Sequence, residues 1–374
     1  MRLAIAILKY FPHGGLQKDF LRIAEEANKR GHTVTVYTTS WKGAVPEWIT
    51  LRILNPFALT NHGKTVRFFR KLKDVLKKEP QDLVFGMNRG PGLDVYFAGD
   101  ECFAAGQKRK HSSLYCRLSK RIRTFSEMER IIFAPGASTE ILCLVEKQKK
   151  EFQQFYRTES ERMYLIPPGM NPECIRPDHA DQLRTEFRKD KNIAEDRLVL
   201  LCVGANLKLK GADRLMIAVN ALPEVLRKNI TLFLVGRKTK ELEHMASQIP
   251  ADIRFEGMQD KVQEYYLASD LMVHPARSEA AGSVLIEAIA SGLPVICTEL
   301  CGFSVFVRES AAGHVLHGEF HQEELNAALE ALLSNKEHLL YLSREAQEYT
   351  GHTDFTGRAK TVVDILENRF YGIR

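Results

Sequence analysis

The chain has 374 residues, of which 44% are apolar and 27% charged, and carries a formal net charge of +6. That balance is the one expected of a soluble globular protein long enough for two α/β domains. It excludes a spanning helix, because no run approaches the roughly eighteen apolar residues a bilayer requires. The seven cysteines, at 102, 116, 143, 174, 202, 297 and 301, form no C-x-x-C. Neither a zinc site nor a disulfide framework is indicated, and a reducing cytoplasm is the expected setting.

The opening MRLAIAILKYF has the basic and apolar character of a signal peptide, but it is short, lacks a cleavage site and runs into Gly14-Gly15. Arg2 to Leu8 is therefore expected to be a first strand. Leu16, Phe20, Ile23, Ala24 and Ala27 recur at helical spacing up to Gly31, and Thr33 to Thr38 reads as a second strand. Repeated βα alternation predicts a parallel sheet, with ligands at the carboxyl ends of its strands. Gly14-Gly15 between strand and helix allows backbone amides to face a ligand, or serves simply as a flexible turn. Further on, Gly90-Pro91-Gly92 lacks the spacing of a dinucleotide fingerprint, and VYFAGD ends at Asp100, a residue able to order its own loop.

A basic tract follows. Lys108, Arg109, Lys110, Arg117, Lys120, Arg121 and Arg123 are interleaved with Leu114, Tyr115, Leu118, Ile122 and Phe125. Cations mixed with aromatic and aliphatic side chains suit an anionic bilayer, each contributing about 1 kcal/mol near the surface. A solvated helix face is the alternative; nucleic acid is not expected, since no binding module accompanies the tract. Arg157 to Asp178, with Pro167, Pro168, Pro172 and Pro177 around Gly169, reads as an interdomain linker.

The second half repeats the α/β rhythm. Leu198 to Val203 is a strand, Asn206 to Lys210 a loop, and Gly211 opens a helix; Leu232 to Val235 and Ile253 to Gly257 are further strands. The stretch from Leu271 to Thr298, LMVHPARSEAAGSVLIEAIASGLPVICT, reads strand, loop, buried helix, turn, strand. Gly292 with Pro294 beyond it is the usual helix stop. Ala280, Ala281, Gly282 and Ser283 have little or no side chain, so the amides at the front of this helix can approach an anion such as a diphosphate. Glu279 is placed to meet sugar hydroxyls, and Glu287 to hold a ribose diol. Tight packing of the small residues with both glutamates solvated is the plainer reading.

Glu279 and Glu287 have the E-x7-E spacing, and Pro275, Gly282 and Gly292-Leu293-Pro294-Val295 are the accompanying residues that make the string resemble retaining glycosyltransferases of family 4, a GT-B class. Together with KYFPHGGLQKDF and the Phe85 to Asp100 region, it is similar within that family to the inner-core glucosyltransferases of lipopolysaccharide synthesis, which add the first glucose to heptose. The resemblance implies two Rossmann-like domains facing across a cleft, 1–166 binding the acceptor and 167–351 the nucleotide sugar, with a terminal helix in 352–374 crossing back to the first. It implies glucose transfer from UDP-glucose to the inner-core heptose with retained configuration, at the cytoplasmic face of the inner membrane. Catalytic roles then fall to Glu279, Lys210 and Asp100, the last touching or deprotonating the acceptor hydroxyl. Donor contacts fall to Gly15, Lys208, Lys210, Ala280, Ala281, Gly282, Ser283, Val284 and Glu287, and membrane contacts to Lys108, Arg109, Lys110, Lys120 and Arg121. Lys210-Gly211 matches the family's Lys-Gly donor site, where an ammonium neutralises the departing diphosphate. No cofactor is implied, and the lack of a D-x-D pair argues against an obligatory metal. Another GT-B chemistry, such as a sugar-nucleotide epimerase, and a non-catalytic membrane-docked assembly protein are the rival readings.

Overall fold

A computed structural model describes residues 1–12 and 14–372; His13, in the glycine turn, lies outside the described residues. The chain divides into two compact units, Met1–Gly169 with Gly357–Arg374, and Met170–Thr356.

Among the described residues the first unit is built on seven parallel strands: β1 (Arg2–Ala6), β2 (Thr33–Thr38), β3 (Ile49–Ile53), β4 (Leu83–Gly86), β5 (Val95–Ala98), β6 (Glu140–Cys143) and β7 (Met163–Leu165), in the order β3-β2-β1-β4-β5-β6-β7. β1 lies inside the sheet, with Leu3 opposite Val34 on one side and Leu83 on the other. Its near-continuous apolar sequence follows from helices covering both faces of a parallel sheet. β7 falls inside the stretch read as linker, so that stretch begins only after the last strand of the unit.

Helix Gly15–Lys29 buries Phe20, Ile23, Ala24 and Ala27. Beside it packs the last helix, Arg358–Tyr371, which buries Val362, Val363 and Leu366. Arg30 joins the two, donating to Asp364 at 2.6 Å and Glu367 at 2.9 Å. Arg358 Nη1 donates to Asp19 at 2.8 Å, both side chains almost wholly buried, and its Nε donates to the Pro167 carbonyl at 3.0 Å. Asp19 is thus a buried ion-pair partner.

The second unit carries six parallel strands, β8 (Leu198–Asn206), β9 (Ile230–Arg237), β10 (Asp252–Gly257), β11 (Leu271–His274), β12 (Val295–Thr298) and β13 (Gly313–Leu316), in the order β10-β9-β8-β11-β12-β13. The strand order reverses direction between β8 and β11. In open parallel sheets the carboxyl ends of two such strands part to leave a crevice for ligands. Lys210 follows one of these strands and Glu279 the other.

Candidate active site

The loops after β8 and β11 touch through a glycine. Gly211 has φ +82° and starts helix Ala212–Ala221; a Cβ there would lie 2.2 Å from the Pro275 carbonyl oxygen. Only glycine accepts both the left-handed backbone and that approach. The contact delivers Lys210, whose ammonium bonds Glu279 Oε2. His274, the last residue of β11, is fully buried and sets its Nε2 3.4 Å from the same oxygen, while its Nδ1 has no hydrogen-bond partner among the described residues. Burial pushes the Glu279 carboxyl up, but the His274 hydrogen bond and the Lys210 charge outweigh it and hold the group at about 2. Glu279 is therefore ionised throughout the neutral range.

The segment behind Glu279 is pinned to the turn after β12. Glu279 O accepts from the Gly302 amide at 3.3 Å, and Ala281 O from Phe303 at 2.6 Å. Gly282 adopts φ +91° as the N-cap of helix Ser283–Ala290, and a Cβ there would lie 3.1 Å from Glu279 Cγ. Its N-cap, Gly282, has no side chain to offer the first turn, and that turn carries no acid. The amides of Ser283 and Val284 accordingly have no intrahelical partner, and the positive end of the dipole points out beside Glu279. Ala280 and Ala281 approach the same spot with minimal side chains. Glu287 lies on the same helix, half-buried, accepting from the Tyr266 hydroxyl at 2.9 Å. Burial and the Glu287 charge push that hydroxyl well above its ordinary value, so Tyr266 remains a donor.

Lys208 does not join this cluster. Its ammonium lies 3.1 Å from Asp213 and 2.6 Å from Glu241, and Asp213 also takes a fork from Arg277 at 2.7 and 2.8 Å. His274, Tyr266 and Arg277 support the site without any signal in the sequence to single them out. Each is an ordinary strand, helix or loop residue until the fold supplies its partner. Arg176, within the stretch read as linker, is held by Asp181.

In the first unit Gly15 is the first residue of its helix, after Gly14, and the Gln17 side-chain amide closes the turn by donating to the Lys9 carbonyl at 3.0 Å. Asp100 follows β5 with an exposed carboxylate 3.3 Å from Arg89. Arg89 also donates to Glu129 at 2.6 Å. Glu129 is fully buried and accepts in addition from the amides of Phe103 and Ala104 at 2.8 and 2.9 Å and from the Tyr156 hydroxyl at 2.7 Å. It thereby caps helix Phe103–Lys110, the first helix of the basic tract. The tract continues through helices Ser113–Leu118 and Lys120–Phe133; the short middle helix buries nothing and exposes Leu114, Tyr115 and Leu118. Arg109 is paired with Glu151, and Lys108 stands 4.7 Å from the centre of the Phe155 ring, so these two cations have partners within the chain.

The family model for Glycosyltransferase Family 4 matches residues 13–173, and that for Glycosyl transferases group 1 matches residues 184–349. The chain is 38% identical over 369 residues to the lipopolysaccharide glucosyltransferase WaaG of Escherichia coli (strain K12), an alignment covering 98% of each. A crystal structure of WaaG, described as a glycosyltransferase involved in lipopolysaccharide biosynthesis, matches 97% of this chain and 99% of its own with a TM-score of 0.93. The sucrose-phosphate synthase of Thermosynechococcus elongatus, 18% identical, shares the fold over 99% of both chains with a TM-score of 0.79. With two parallel-sheet Rossmann-like units and full-length identity of this order, the chain belongs to glycosyltransferase family 4, of the GT-B class.

Proposed function

We propose that this protein transfers glucose from UDP-glucose to the inner-core heptose of lipopolysaccharide, with retention of configuration and without a metal, while held at the cytoplasmic face of the inner membrane. The observation that carries the reading is the convergence of Lys210, His274 and Glu279 at the start of helix Ser283–Ala290, whose N-cap is Gly282. The likeness to WaaG along the whole chain supports the choice of sugar and acceptor.

A diphosphate arriving at that helix start competes with Glu279 for the Lys210 ammonium. Lys210 and the amides of residues 280–284 then take the charge that develops as the glycosidic bond to phosphate breaks, which is electrostatic stabilisation by groups already in position. Glu279, freed from Lys210 and kept anionic, accepts from hexose hydroxyls and stabilises positive charge at the sugar carbon. Glu287, with one oxygen on Tyr266, presents the other to the ribose diol. Asp100 serves the acceptor hydroxyl, and Gly15 lets a backbone amide approach the donor. The Lys108 to Arg121 tract and the exposed Leu114, Tyr115 and Leu118 hold the protein on anionic lipid.

The test is transfer from UDP-glucose to lipopolysaccharide truncated at heptose, assayed in EDTA, with the product's anomeric configuration read by NMR. An α-linked glucose formed without added metal is expected. Epimerised or merely hydrolysed UDP-glucose, or dependence on a divalent cation, would overturn the corresponding part of the proposal.

A further inference from the structure

Residues 54–60 connect β3, an edge strand, to helix Asn61–Lys78. Along this extended segment Pro56 is buried and Ala58 half-buried, while Phe57 is 78% and Leu59 92% exposed. The alternation turns the two largest apolar side chains of the loop to solvent. Ile53, at the end of β3, is exposed as well. The loop is held in this form: Arg67 of the helix donates to the Phe57 carbonyl, and Thr60 caps the helix by accepting from Gly63 at 3.2 Å. Exposed apolar residues scattered singly mean little, but a fixed apolar tip beside a charged face is different.

The helix that follows supplies that face. It buries Thr65, Phe68, Phe69 and Leu72. Its outer side carries Arg67, Arg70, Lys71, Lys73, Lys77 and Lys78 against Asp74 as the lone acid of the helix. An amphipathic helix rich in Lys and Arg, led by apolar side chains, has the composition of an element that lies in a membrane interface. Phe68, Phe69 and Leu72 enter the same core cluster as Met128, Ile132 and Phe133 of helix Lys120–Phe133, and the two helices are in contact.

We infer that the tip formed by Phe57 and Leu59, with the basic face of helix Asn61–Lys78, is a second membrane-docking element whose partner is an anionic bilayer: the two apolar side chains enter the acyl boundary while the cations meet lipid phosphates. The inference adds to the proposed membrane reading of the 108–121 tract and rests on it only for the choice of a bilayer as partner. The charge of the face selects anionic lipid, because near-surface cations gain little from a zwitterionic surface. Burial of the tip supplies the part of the affinity that salt does not screen.

The experiment is sedimentation of the full chain with vesicles of phosphatidylethanolamine and phosphatidylglycerol, and with vesicles of phosphatidylcholine alone. Phe57→Ser with Leu59→Ser should weaken binding to the anionic vesicles about tenfold or more, given the apolar area withdrawn, and should leave a larger share of the remainder salt-sensitive. Phe57→Trp should show emission quenched by brominated acyl chains beyond the quenching of the parent's own tryptophans. Unchanged binding of the double serine variant, with release when Lys108, Arg109, Lys110, Lys120 and Arg121 are neutralised, removes this inference and leaves the first membrane reading intact. Loss with the serine variant and none with the neutralised tract does the reverse. A parent dimer that becomes monomeric on serine substitution would assign the tip to a second copy of this chain and overturn the inference.

Discussion

Two carboxylates in this molecule sit among cations and amides, and they have opposite characters. Glu129 is fully buried and surrounded by donors: Arg89, the amides of Phe103 and Ala104, and Tyr156. Glu279 is pushed toward the charged form by Lys210 and His274, yet both of these meet the same oxygen, and part of the side chain reaches solvent. A saturated carboxylate has nothing left to offer a ligand and holds structure together. An ionised but unsaturated one, beside a glycine-led helix start, is prepared to act on something else.

Removing Glu129 gives the largest effect expected on stability. Glu129→Ala leaves Arg89 with the exposed Asp100 as its remaining carboxylate partner and uncaps helix Phe103–Lys110, and should lower stability by about 3–5 kcal/mol, read by urea unfolding. Transfer activity per folded molecule should change far less. Glu279→Ala should show the converse: a loss of about 100- to 1,000-fold in kcat with a smaller fall in the urea midpoint than Glu129→Ala gives. If the two variants behaved alike, the distinction between a saturated and an available carboxylate would fail.

A pH series sharpens the contrast. Glu279 has its folded-state pKa held down at about 2, below its ordinary 4.5. The stability its ionisation contributes is therefore fully present above about 4.5 and is lost as pH falls from there toward about 2. The stability difference between parent and Glu279→Gln should be constant from about pH 7 to 5 and shrink at lower pH, measured by urea unfolding at each pH. No limb of the kcat profile between about pH 5 and 8 should belong to Glu279. The smallest effect is expected at Lys208, already neutralised by Asp213 and Glu241: Lys208→Ala should alter kcat less than about threefold, as for other exposed ion pairs. A fall comparable to that of Lys210→Ala would mean that Lys208 leaves its carboxylates to serve the donor.

Much of this was legible in the sequence because it is local. Leu271–His274 opens as the apolar run expected of a core strand in a parallel sheet, and Thr33–Thr38 as a run of β-branched and aromatic residues, so both could be read from residue type alone. Lys210-Gly211 and Glu279 to Glu287 lie within short motifs whose spacing reflects backbone geometry. What could not be read are pairings between distant residues with no common pattern: Asp19 with Arg358, Glu129 with Arg89 and Tyr156, Asp213 with Arg277. β7 escaped notice for another reason. It is three residues long with two of them exposed, and its short apolar run Met163 to Ile166 leads straight into Pro167-Pro168, which mark a loop.

The buried bond between Asp19 and Arg358 spans 339 positions, and it orders events in time. When the ribosome has finished the seven strands of the first unit, the helix that covers Gly15–Lys29 has not yet been made. The second unit, continuous from Met170 to Thr356, has all its pieces before that helix is made. The stretch made before the second unit is thus the part that must wait, its outer apolar flank and one carboxylate unclaimed until Arg358 and the helix it opens have been made.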